Sequence, residues 1–205
     1  MNETNYAETG KSVRQNKKIL LMIDKLIDRI KEDKGNWDKF ADIFIEKKIE
    51  PKTVLLNAGE IANYVHFVKK GCLREWFNND GKDITFQFFM EGQPVASIDS
   101  FINGEPSLFS IESIEPSIIV SVRKDDFEKL FKVYPELKDR FQNFIFQRLR
   151  NYSQLFLSRI TDSPKVRYED LIKNKPEIIK RVPQHYIASF LGVTPVSLSR
   201  IRNKR

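Results

Sequence analysis

The apolar residues of this chain change their spacing twice, and those changes restrict the fold more than any other feature. Between Pro51 and Val122, short runs rich in β-branched and aromatic residues occupy 53–56, 64–68, 72–77, 84–89 and 118–122. The dipeptides Ala58-Gly59, Lys70-Gly71, Asp80-Gly81 and Glu91-Gly92 separate them. Runs of this kind closed by glycine turns predict strands, and their even spacing predicts a sandwich or barrel. Asn79-Asp80-Gly81 lies between two of them and predicts a hairpin. The stretch 92–116 is less regular and carries the turn Asn103-Gly104-Glu105-Pro106. From Pro135 the period becomes helical, with Phe141, Ile145, Leu149, Tyr152, Phe156 and Ile160 stepping by three or four. Phe144, Phe146, Leu155 and Leu157 add apolar surface off that stripe, so this helix has to be covered on several sides. One side suits its own β domain. Another suits the same helix of a second copy in a two-fold dimer, the alternative being a core helix within a monomer.

Upstream, residues 1–16 are polar and aperiodic, as in a mobile arm. Ile19, Leu20, Met22, Ile23, Leu26, Ile27 and Ile30 predict an amphipathic helix to about Glu32. Phe40, Ile43 and Phe44 suggest a second short helix over 37–46.

Composition removes several function classes. A single cysteine, Cys72, allows no intramolecular disulfide and no multi-cysteine metal cluster. Two distant histidines, His66 and His185, do not make the three-histidine, one-carboxylate metal set of a cupin-type enzyme. The sequence has no apolar run near the ~18 residues of a membrane span and no secretion-signal core at its start. The expectation is a cytoplasmic protein that is not an enzyme, with no catalytic residues, no metal and no membrane partner.

Charge is unevenly placed. The chain carries 35 Lys and Arg against 28 Asp and Glu, a net +7. Residues 140–205 hold 14 of the bases and four of the acids, +10, which leaves the first 139 residues at −3. A basic segment on an otherwise slightly acidic chain fits a polyanionic partner, although a solvated basic face would look the same.

Inside that segment, Gln184 to Arg202 reads Q-H-Y-I-A-S-F-L-G-V-T-P-V-S-L-S-R-I-R. Two short helices joined at Gly192 are expected, with small Ala188 where they cross and a residue tolerant of positive φ four positions later. Ile187, Leu191, Val193, Leu198 and Ile201 hold the pair together, Thr194 caps the second helix, and Pro195 starts it. The exposed face then presents Val196, Ser197, Ser199, Arg200, Asn203 and Lys204, which suit a DNA groove and its phosphates. This is the pattern of a helix-turn-helix whose second helix enters the major groove.

On these residues the chain resembles the Crp/Fnr family of bacterial transcription regulators. Gly59-Glu60, the run from Tyr64 to Gly71, Asp80-Gly81 and Gly92 fall at the turns of that family's cyclic-nucleotide-binding β-roll. Val122-Arg123-Lys124-Asp125-Asp126-Phe127 resembles the passage from roll to helix, and T-P-x-S-L-S-R-I-R resembles a branch found in Bacteroidetes-like bacteria. The resemblance implies an α+β chain: an N-terminal double-stranded β-helix (jelly-roll) sensor, a long dimerisation helix and a C-terminal all-α helix-turn-helix domain. Residues 1–50 would be arm and N-terminal helices, 51–134 the cyclic-nucleotide-binding-like roll, 135–162 the dimerisation helix and 163–205 the DNA-binding domain. It implies double-stranded DNA, a second copy of the chain and RNA polymerase as partners, with Thr194, Val196, Ser197, Ser199, Arg200 and Lys204 facing the duplex.

Departures from the family shape the expected effector. Cyclic-AMP-binding members carry Gly-Glu-Leu followed by Arg-Ser or Arg-Thr, where this chain has Ala96-Ser97-Ile98 and Ser107-Leu108. Without the cation a buried phosphate is costly, so no tight cyclic-AMP binding is expected. Ala96, Ser97, Ser107 and Leu108 would line a pocket for an unidentified small molecule or a vestigial one, with no cofactor assigned. Cys72 alone cannot hold an iron–sulfur cluster, and His66, the sole candidate haem ligand in the roll, reads from its strand position as a packing or surface residue. Pro195 and Val196 replace polar base-reading residues, and the family's two-stranded wing has no counterpart before Arg205. The alternative function is a nucleotide-sensing or protein-interaction module without sequence-specific DNA binding.

Overall fold

A computed structural model describes residues 27–28, 30–32, 35 and 39–203. The helix expected from 17 to 32 and the position of Trp37 therefore lie largely or wholly outside the described residues, as does Lys204.

Eight strands form two four-stranded sheets of an antiparallel sandwich. They are β1 (Ile45–Ile49), β2 (Val54–Leu56), β3 (Tyr64–Lys70), β4 (Leu73–Asn79), β5 (Lys82–Phe89), β6 (Pro94–Val95), β7 (Ser110–Ser113) and β8 (Ser117–Arg123). One sheet runs β1-β8-β3-β6 and the other β2-β7-β4-β5. In the first, Val65 pairs with Val122 and Phe67 with Val120. These two pairs, with Val68, Ile119 and Val95, are buried, as expected for apolar strand faces closing a sandwich. The second sheet buries a polar pair: Arg74 of β4 is 2% exposed, and its Nη2 lies 2.7 Å from Glu112 Oε1 of β7.

The segment 37–46 does not continue as a helix to its end. A 3-10 turn covers Ala41–Ile43, and Ile45–Ile49 pairs along β8, Ile45 opposite Ser121 and Ile49 opposite Ser117. The irregular stretch after Gly92 contains β6, α1 (Ile98–Asn103) and β7.

After β8 the chain is helical. α2 (Lys124–Val133) is followed by the 26-residue α3 (Glu136–Thr161), then α4 (Pro164–Asn174), α5 (Pro176–Arg181), α6 (Gln184–Phe190) and α7 (Pro195–Asn203). Ser163 caps α4, its hydroxyl accepting from Val166 N at 3.3 Å, and Pro164 takes the first position, where its missing N–H is harmless.

The chain resolves into two compact units. One holds the described residues up to Glu75 together with Phe88–Phe127. The other holds Glu128–Arg205 together with Trp76–Gln87, the end of β4, its turn and most of β5.

Candidate functional site

The helix pair α6 and α7 is built around Ala188 and Leu198, which are 0% and 1% exposed. Ile187, Phe190 and Leu191 complete the buried contact. At their junction Leu191 N donates to Ile187 O, Gly192 N to Ser189 O and Val193 N to Ala188 O. The reversal needs a left-handed residue, and Gly192 supplies it at φ 68°.

Two guanidiniums finish α6. Arg159 Nη2 of α3 donates to Phe190 O, and Arg167 of α4 donates through Nη2 to Leu191 O at 2.9 Å and through Nη1 to Asp162 O at 2.6 Å. Cations here complement the negative end of the helix dipole and occupy carbonyls that α6 leaves open. Burial, with the charge of Arg167 second, lowers the Arg159 pKa from its ordinary value.

A third tie comes from β5, the last strand of its sheet. Thr85 N donates to Ser189 Oγ at 2.8 Å, and Ser189 Oγ donates to Asp83 O at 2.8 Å. One hydroxyl of α6 thus serves two outward backbone groups of an edge strand, as a neighbouring strand would. Phe86 meets Tyr152 of α3 beside this contact, ring centroids 5.0 Å apart.

α7 begins with a cap. Ser197 N donates to Thr194 Oγ1 at 3.1 Å, and Thr194 Oγ1 donates to Ser197 Oγ at 3.0 Å. Of the residues expected to face a duplex, Thr194 and Ser197 therefore engage each other. Val196 is 61% exposed, and Ser199, Arg200, Arg202 and Asn203 are exposed as well. Positions 196, 199, 200 and 203 share one helical face, opposite buried Leu198. After Glu177 the sequence contains no Asp or Glu.

The long helix α3 carries a second conspicuous surface. Phe146, Leu149, Phe156 and Ile160 are each at least 61% exposed. With Ser153 they advance in alternating steps of three and four, the repeat of a coiled-coil seam.

In the roll unit the four proposed pocket residues differ in burial and bonding. Ala96 and Ser97 lead into α1, and Ser97 is buried. Ser107 is also buried, but its hydroxyl donates to Phe109 O at 2.7 Å and accepts from Phe109 N at 3.1 Å. Its backbone pairs with the 59–60 turn, Gly59 N donating to Ser107 O and Ser107 N to Glu60 O. Leu108 is 74% exposed. A cavity of about 160 Å³ lies nearby, lined instead by Leu55, Leu56, Ile111 and the stretch from Glu60 to Tyr64, with His66. His66 Nδ1 is 2.8 Å from Ser121 Oγ. Burial, with Lys47 adding a smaller repulsion, holds the imidazole pKa down at about 4, so it is neutral at pH 7. Sequence reasoning missed the roles of Ser189, Arg159 and Arg167.

Residues 46–134 match the cyclic nucleotide-binding domain family. Among curated proteins, neuropathy target esterase sws of Drosophila ananassae and of Drosophila melanogaster are each 28% identical over 103 residues, covering 43% of this chain and 7% of theirs. The chain thus spans less than a tenth of those relatives, and the likeness is confined to the cyclic nucleotide-binding domain. Solved structures resemble much more of it. A cyclic nucleotide-binding domain containing protein from Listeria monocytogenes EGD-e superposes with TM-score 0.68 at 15% identity, over 89% of both chains. The c-di-GMP responsive global regulator CLP of Xanthomonas campestris gives 0.67 at 15% identity, over 83% of this chain and 90% of that one. A CooA mutant from Carboxydothermus hydrogenoformans gives 0.62 at 18% identity, over 80% and 76%. The structural neighbours include a transcriptional regulator described as of the Crp/Fnr family, from Eubacterium rectale, and at these identities the likeness shows a shared fold.

Proposed function

We propose that this chain, with a cyclic nucleotide-binding fold over residues 46–134 and Crp/Fnr regulators among its structural neighbours, is a homodimeric DNA-binding transcription regulator. One observation carries the reading: α7 turns Val196, Ser199, Arg200 and Asn203 outward while Leu198 anchors it on α6, in a stretch with no acid after Glu177. In this reading α6 and α7 are a helix-turn-helix and α7 lies in the major groove. The seam of Phe146, Leu149, Ser153, Phe156 and Ile160 packs against its copy, so that two α7 helices meet adjacent turns of one duplex.

The roll senses an unidentified small molecule or serves as a scaffold, and cyclic AMP is not its ligand. By the resemblance Ser107-Leu108 replaces the Arg-Ser or Arg-Thr that would bind the phosphate, and the interior guanidinium of Arg74 is already paired with Glu112. RNA polymerase is the partner through which a bound dimer would act, in the cytoplasm.

The test is fluorescence anisotropy of the full chain with labelled duplexes at low salt, where phosphate contacts are strongest. Binding that weakens steeply with salt is expected. Absence of binding at low salt refutes the proposal and leaves a protein-interaction module. Calorimetric titration with cyclic AMP should show no binding, and a micromolar or tighter Kd would overturn that part alone.

A further inference from the structure

The outward face of α7 has an unusual chemistry for a polar, basic helix: its first residue on that face is an isopropyl group. Val196 is 61% exposed, one turn before Arg200, with Ser199 and Asn203 on the same face. Its exposure is no by-product of the cap, because Thr194 and Ser197 bond each other and Leu198 supplies the buried anchor.

We infer that Val196 is a specificity-determining residue that reads the C5-methyl group of a thymine, within two base steps of a guanine read by Arg200. The inference rests on the DNA-binding reading above and adds what kind of half-site that face accepts. Four physical facts support it. In the major groove thymine alone among the four bases presents a methyl group, and an aliphatic side chain has nothing else there to gain from. A guanidinium fits guanine O6 and N7 with two parallel hydrogen bonds. Four residues of helix rise about 6 Å, less than two base steps of about 3.4 Å, so with α7 lying along the groove the two side chains reach bases no more than two steps apart. Valine also cannot hydrogen-bond, so a cytosine or adenine amino group beneath it would lose water without a partner.

The test uses the full chain. Duplexes are enriched from a randomised pool, and the enriched site is then remade with deoxyuridine in place of the invariant thymine, which removes only the methyl group. Wild type should weaken about fourfold with one half-site altered and about fifteenfold with both, the value of a single buried methyl each time. Val196→Ala should bind the thymine site more weakly than wild type and no longer distinguish it from the deoxyuridine site. A thymine-to-deoxyuridine change below about twofold in wild type overturns the inference, as does an enriched site with no thymine within two steps of a guanine. Enrichment without methyl dependence leaves DNA binding standing and removes only this assignment. No enrichment together with no binding at low salt removes both.

Discussion

Replacing Ser189 by alanine deletes one oxygen that satisfies two backbone groups of the β4–β5 hairpin. The two groups do not fare alike. Asp83 is exposed, so water can replace the lost donor to its carbonyl at little cost. Thr85 is 0% exposed, and its N–H, now 2.8 Å from the hydroxyl, would be left buried without an acceptor. An unmade hydrogen bond of that kind costs about 1–3 kcal/mol. The same range corresponds to about a 5- to 150-fold loss of protection of the Thr85 amide against hydrogen exchange, if the hairpin opens locally. Native-state exchange read at Thr85 is therefore the assay, with Ser199→Ala as comparison, because Ser199 is exposed and its loss should stay within about 0.5 kcal/mol. Unchanged exchange at Thr85 in Ser189→Ala would show that the hydroxyl does not hold the hairpin, and the argument for a shared unit of 76–87 with the terminal helices would lose its main support.

Other outcomes follow from the same geometry. Gly192→Ala should lower stability in urea by only about 1–2 kcal/mol, since a Cβ there meets nothing closer than Arg159 Nη1 at 3.7 Å and only φ 68° is at issue. Gly71→Ala should cost more than about 3 kcal/mol, because its Cβ would run into Ser117, backbone included, at φ 103°; equal losses for the two glycines would contradict this. Phe156→Glu should give a folded monomer in sedimentation equilibrium, since the ring is 65% exposed within one chain. A persistent dimer would place the interface elsewhere. His66, held at about 4 when folded against about 6.5 unfolded, is uncharged in the fold over a pH range where the unfolded chain binds a proton. Its contribution is fully present above pH 6.5 and is lost as pH falls toward 4, by up to about 3 kcal/mol. His66→Gln should flatten the wild-type stability profile over that window, and parallel profiles would refute the assignment.

Much of this architecture can be read from local pattern. The β-branched runs and Asn79-Asp80-Gly81 are enough for β3 to β5, because each strand is long and closed by a turn. Pro135 and Ser163-Pro164 bracket α3, and Ala188 with Gly192 mark the crossing and turn of the helix pair. β1 escapes such reading: I-E-K-K-I has too little alternation to declare itself, and it is a strand because β8 offers an edge more than 60 residues away in sequence. β6 is only two residues long. Ser189 is invisible for a related reason, since its partners are backbone groups 104 and 106 residues away. Ser107 and Leu108 rest on resemblance alone, and resemblance does not say that one hydroxyl is engaged by Phe109 and the other side chain faces water.

The internal use of arginine changes how the basic surplus of the last third should be counted. Arg159 and Arg167 hold carbonyl oxygens of α6 and its turn, and Arg148, 5% exposed, lies over the rings of Phe144 and Tyr152. These three guanidiniums are structural mortar. A double-logarithmic plot of affinity against salt counts only cations that displace ions from a phosphate chain, so its slope should correspond to fewer contacts than the formal +10 of residues 140–205 suggests.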